Sequence, residues 1–146
     1  MDHSARLLDL EAGGAAAVQV AAHDAPIKSV RFFDAPGSAG PLLVTASWDK
    51  TIKYWDMRQG TPVASVTCTD RIYSMDVKQS LLVAATADRK ITIIDLNNPT
   101  TVHSSTESKL TMQTRVVTCM ADGKGYAYAS VEGRCGIAYM DPQDQG

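Results

Sequence analysis

The stretch VTASWDKTIKYWD, residues 44–56, concentrates side chains that could do chemistry. With His23 upstream, its Thr45 and Asp49 supply the residue types of a hydroxyl–histidine–carboxylate triad. Trp48 and Lys50 flank Asp49 and suit a contact to a peptide or a nucleobase. Arg115 in QTR, and Glu132 and Arg134 in EGR, could pair with acidic or basic groups of a partner. Cys68, Cys119 and Cys135 are far apart, with no CxxC pair or other metal-ligand spacing. No metal or cofactor site is expected from them, and each is expected to behave as a small buried hydrophobe.

These groups must be positioned by strands. Segments rich in Val, Ile, Tyr and Thr recur at 5–10, 16–22, 27–33, 41–47, 51–57, 62–68 and 71–77, then at 81–87, 90–96, 101–106, 114–120, 126–131 and 135–141. Turn residues such as those in DAPGSAG, MRQGTP, LNNPT and ADGKG separate them, and no segment sustains a 3.6-residue period. An all-β chain is predicted.

The strands repeat as sets. LLD, YWD, IID and YMD place an Asp at positions 9, 56, 95 and 141. A period near ~40–45 residues with a Trp-Asp ending marks the four-stranded blade of a WD-repeat β-propeller. Seven residues before each of those aspartates a turn residue is expected: Asp2, Asp49, Asp88 and, in the last copy, Arg134. The repeats fall at roughly 1–10, 16–57, 62–96 and 101–141. That is about three blades and part of another.

In this register the triad residues read as a fastening. Trp55 donates its indole N–H to Thr45, Thr45 bonds His23, and His23 bonds Asp49, so the tetrad His23, Thr45, Asp49 and Trp55 rigidifies one blade. The rival reading, a hydrolase with Thr45 as nucleophile, needs an exposed oxygen near an oxyanion hole, and no glycine-rich elbow stands nearby. No catalytic residue is therefore assigned. The next copy has Ala84 and Ile94 in place of the hydroxyl and the Trp. The last is expected to have Arg134 for the Asp and Met140 for the Trp, leaving Arg134 available to a partner.

The 146 residues carry 45% hydrophobic and 21% charged side chains and a net charge of −2. This is a globular composition with no bulk drive toward nucleic acid or anionic membrane, though a local basic patch is compatible with it. The N-terminus is charged where a signal peptide is apolar. No apolar run approaches the ~20 residues of a membrane helix. A soluble intracellular protein without a membrane or small-molecule partner is expected.

The segments HDAPIKSVRFF, LVTASWDKTIKYWDMR, ATADRKITIIDL, SKLTMQTRVV and SVEGRCGIAYMDP resemble the nuclear-pore mRNA export factor family of WD-repeat propellers along nearly the whole chain. The spindle-checkpoint Bub-type propellers share HDAPI, SWD, QTR and EGR, and are the alternative. The resemblance implies a seven-bladed ring, of which this chain would be a fragment, and a non-enzymatic adaptor in the nucleus, at the nuclear envelope and pore, with the cytoplasm as a further location. It would bind the GLEBS segment of a GLFG nucleoporin, and RNA or mRNP. The checkpoint alternative would bind GLEBS motifs of checkpoint kinases at kinetochores. The resemblance also implies that Trp48, Lys50, Arg115, Glu132 and Arg134 lie on the partner-binding face. Alanines in TASWD and ATAD, where the family usually has glycine, and SSTESKLTMQTR depart from the family wording.

Overall fold

The computed structural model describes residues 2–11, 17–35 and 37–141. It contains thirteen strands: β1 (Ser4–Leu7), β2 (Val18–Ala22), β3 (Ile27–Phe33), β4 (Leu42–Ser47), β5 (Thr51–Trp55), β6 (Pro62–Thr67), β7 (Ile72–Lys78), β8 (Leu81–Thr86), β9 (Lys90–Asp95), β10 (Val102–Glu107), β11 (Thr114–Cys119), β12 (Gly125–Ser130) and β13 (Cys135–Tyr139). Each of the thirteen expected segments carries one of these strands, with ends coinciding or differing by up to three residues; Ala16, where one was expected to begin, lies outside the described residues. No helix occurs among the described residues, and none is therefore long and apolar enough to cross a membrane.

All pairings are antiparallel and follow chain order within four sheets: β1–β2, β3–β6, β7–β10 and β11–β13. This is the sheet pattern of a propeller-like fragment. The sheets are offset by one strand from the sequence repeats. β6, grouped by sequence with residues 62–96, completes the sheet of β3–β5.

The strand alternation explains the packing, because successive side chains point to opposite faces. Val44, Ala46, Ile52 and Tyr54 on one face of the second sheet meet Ile72, Met75, Leu82 and Ile94 of the third. Val83, Ile91 and Ile93 on the third sheet's other face meet Val117, Tyr126 and Tyr128. Leu43 and Trp55 pack on Val20 and Ala21 of the first sheet. Buried apolar faces are thus shared between successive sheets, and β7 lies beside both β3 and β11.

The first strands are also stitched by polar groups. Ser29 Oγ accepts the Met75 amide at 3.2 Å, and Ser74 Oγ accepts the Val117 amide at 3.1 Å. Asp76 joins three strands, accepting Arg31 Nε at 2.8 Å and the Cys119 amide at 2.9 Å. Burial pushes its carboxyl up, but these donors outweigh that and hold it below the usual range.

Two of the cysteines meet expectation. Cys68 and Cys119 are buried, and burial pushes their thiols up to about 11 and about 12. Cys135 does not: it is exposed, because it shares with Ile137 and Tyr139 the face of β13 turned away from the third sheet.

Candidate functional site at the hairpin end of the sheets

The pairing registers align three hairpins residue by residue. Ala46 pairs Ile52, Ala85 pairs Ile91 and Ala129 pairs Cys135. Ser47, Thr86 and Ser130 then correspond, as do Asp49, Asp88 and Glu132. The next position is left-handed in each, with φ of 71° at Lys50, 64° at Arg89 and 83° at Gly133. In every hairpin the hydroxyl two residues before the acid bonds the turn. Ser47 Oγ accepts the Asp49 amide at 3.1 Å, Thr86 donates to Asp88 at 2.5 Å, and Ser130 donates to Glu132 at 3.4 Å.

This alignment corrects the last repeat. Glu132, not Arg134, holds the place of Asp49; Arg134 corresponds to Thr51. Ala138, which pairs with Tyr126 as Trp55 pairs with Leu43, holds the Trp place, and Met140 lies two residues beyond it. The Asp141 spacing misleads because the hairpin register is pinned by Gly133, whose positive φ costs nothing without a Cβ. Arg134 stands beside Glu132, Nε to Oε2 3.9 Å, with 71% of its side chain exposed.

The tetrad is present in the second sheet. Thr45 Oγ1 accepts the Trp55 indole N–H at 2.8 Å. Burial pushes the His23 imidazole below its usual pKa. Burial pushes Asp49 the other way, yet the Thr51 hydroxyl and amide and His23 hold it at about 2. A neutral His23 beside an ionised Asp49 fixes the proton positions. Nδ1–H donates to Asp49 Oδ2 at 2.7 Å, and Nε2 accepts the Thr45 hydroxyl at 2.7 Å. Thr45 is fully buried and covered by the indole, so its oxygen has no approach for a substrate.

In the third sheet Cys68 stands where His23 stands, Ala84 where Thr45 stands and Ile94 where Trp55 stands. Only the turn acid Asp88 is kept. Arg89 pairs with Glu107 there, as Lys50 pairs with Asp70 at 3.6 Å in the sheet before.

Of the five residues expected on a partner face, Trp48, Lys50, Glu132 and Arg134 lie on the hairpins, and Arg115 lies at the adjoining end of β11. Trp48 is 37% exposed and makes a T-shaped contact with Tyr73, ring centroids 6.4 Å apart. Arg71 lies over the Trp48 ring at 5.9 Å, and Arg115 lies over Tyr73 at 4.4 Å. Glu132 accepts the Thr111 hydroxyl at 3.2 Å. Trp48 and Arg115 are thereby linked through Tyr73, while Glu132 and Arg134 form a separate mixed-charge pair.

Sequence reasoning missed Lys28, Arg71 and Tyr73. No residue type marks them in the sequence, since Lys28, Tyr73 and Arg115 have no one side-chain chemistry in common. β3, β7 and β11 each have a β-bulge at their second residue, which leaves Lys28, Tyr73 and Arg115 outside the ladder. A bulge frees and re-aims a side chain while the strand continues.

Comparison with known proteins agrees with this architecture. The family model "WD domain, G-beta repeat" matches residues 17–56. The chain is 52% identical over 144 residues to mRNA export factor GLE2 of Chaetomium thermophilum, covering 99% of this chain and 39% of the relative. It is 46% identical over 144 residues to the Poly(A)+ RNA export protein of Schizosaccharomyces pombe, covering 99% of this chain and 40% of that one. Mitotic checkpoint protein BUB3.1 of Arabidopsis thaliana is more distant, 40% identical over 124 residues, covering 82% of this chain and 35% of the relative. The chain spans about two fifths of the length of the export proteins it matches. A solved structure, the computationally designed Ika4 protein, shares the fold with a TM-score of 0.78 at 14% identity, over 96% of this chain and 81% of that one.

Proposed function

From this kinship with the mRNA export factors, with the checkpoint propellers as more distant relatives, we propose that the chain belongs to a non-enzymatic adaptor in mRNA export. It would act in the nucleus, at the nuclear envelope and pore. It would bind a GLEBS-type segment of a GLFG nucleoporin, together with RNA or mRNP, through the hairpin end of its sheets. The observation that carries the reading is the 52% identity over 99% of the chain to a protein named as an mRNA export factor.

The chemistry of the hairpin end supports it. Arg134 projects into solvent with only a loose ion pair to Glu132. An exposed guanidinium can take a peptide carboxylate in a bidentate pair. A GLEBS-type peptide titrated onto the chain should bind about tenfold or more weakly after Arg134→Glu, since hydrogen bonds to charged groups contribute ~1.5–3 kcal/mol. Unchanged affinity would sink this assignment. The checkpoint reading is separated by location: a tagged chain at the nuclear rim supports the export role, and one at kinetochores supports the other.

A further inference from the structure

We infer that the row Lys28, Arg71, Trp48 and Arg115 is a subsite for single-stranded RNA, separate from the mixed-charge pair Glu132–Arg134. This assigns residues to the RNA contact of the proposed function and rests on that reading. The three bulges place Lys28, Tyr73 and Arg115 at equivalent positions of neighbouring strands. Arg71 immediately precedes β7 and lies over Trp48.

Two properties distinguish this row from the rest of the hairpin end. Lys28, Arg71 and Arg115 make no ion pair among the described residues, whereas Lys50, Arg89 and Arg134 each have an acidic partner. The row also has a partly exposed aromatic ring at Trp48, 37% accessible, with the Arg71 guanidinium 5.9 Å from its centre. That ring is braced by a T-shaped contact with Tyr73, itself only 7% exposed. Unpaired cations beside a stacking platform form the recognition chemistry of single strands, in which bases stack and phosphates meet the cations. Trp48 takes a base; Lys28, Arg71 and Arg115 take phosphates. Tyr73 is a positioning residue that props Trp48 and Arg115. An acidic peptide would use the cations but gain little from the Trp48 face.

The test is fluorescence anisotropy of the full chain with a labelled oligouridylate and with an abasic oligomer of the same charge. Trp48→Ala should weaken oligouridylate binding about tenfold and leave abasic binding unchanged, and Trp48→Phe should restore most of the loss. Lys28→Ala and Arg71→Ala should weaken both probes and each lower the salt slope by about one. Arg58→Ala, which removes a cation at the other end of the sheets, should change neither. Absence of oligouridylate binding, or equal loss on both probes in Trp48→Ala, overturns the subsite. So does displacement of the RNA by an acidic peptide whose own affinity falls in Trp48→Ala, because the row would then be a peptide site. If RNA binding fails while the GLEBS-type peptide still binds in an Arg134-dependent way, the subsite is wrong and the adaptor reading stands.

Discussion

The second and third sheets share one geometry and use different means to hold it. In the second, His23, Thr45, Asp49 and Trp55 form a buried chain of hydrogen bonds from the hairpin to the far end of β5. In the third, Cys68, Ala84 and Ile94 occupy the corresponding places. Ala84 and Ile94 are fully buried, and all three residues lie in the apolar layer shared with the second sheet. The backbone does not need the tetrad to form a blade. The tetrad instead seats a bulky indole on the face that packs against Val20 and Ala21 of the first sheet, with its N–H satisfied by Thr45.

That comparison can be broken most forcefully at Trp55. Trp55→Ala should cost about 3–5 kcal/mol, the usual range for an aromatic removed from a core, read from the urea midpoint. The indole also satisfies Thr45, so replacing it and His23 together should show coupling of ~0.5–3 kcal/mol. The exchange should not work in reverse. Ala84→Thr in the third sheet would bury a hydroxyl with neither histidine nor indole to meet it, and should destabilise by about 1–3 kcal/mol. A neutral or stabilising result would mean that the two sheets are less different than their packing indicates.

The same contrast has a pH signature. His23 is neutral when folded, with its pKa lowered by burial, so the unfolded chain takes up more protons below the ordinary histidine value of 6.5. The stability that His23 contributes is therefore full above that value and falls as pH drops below it. Asp49, held at about 2 against an ordinary 3.8, contributes stability above pH 4 that is lost as pH falls toward 2. Urea midpoints between pH 7 and 5 should decline in the parent chain and flatten in His23→Gln. A decline that persists unchanged in that variant would assign the proton uptake elsewhere.

The tetrad was legible from sequence because it consists of four distinctive side chains at spacings set by two strands and a hairpin. The all-β architecture was legible for a similar reason, in the repeated alternation of Val, Ile, Tyr and Thr. The last hairpin was misread because spacing was counted back from Asp141, while the register is set at the turn by Gly133. Lys28 and Tyr73, which stand in line with the expected Arg115, were missed because a bulge has no residue signature. It shows only when strand pairings reveal the same unpaired position three times.

The smallest expected effect lies at that turn position, where the hairpins differ by one residue type. Lys50 adopts φ 71° and Gly133 adopts φ 83° at equivalent places. Left-handed backbone costs an ordinary residue roughly 1–2 kcal/mol, and glycine almost nothing. Lys50→Gly relieves that strain, loses the Lys50–Asp70 pair, and increases the freedom of the unfolded chain. The pair is half exposed at the lysine, and such pairs contribute at most ~1 kcal/mol. The terms nearly cancel, so Lys50→Gly should raise stability by no more than about 1 kcal/mol. In an Asp70→Asn background, where the ion pair is already gone, the same substitution should stabilise by more. If Lys50→Gly instead destabilises by over ~1 kcal/mol, and that loss disappears with Asp70→Asn, the ion pair rather than the backbone governs the hairpin.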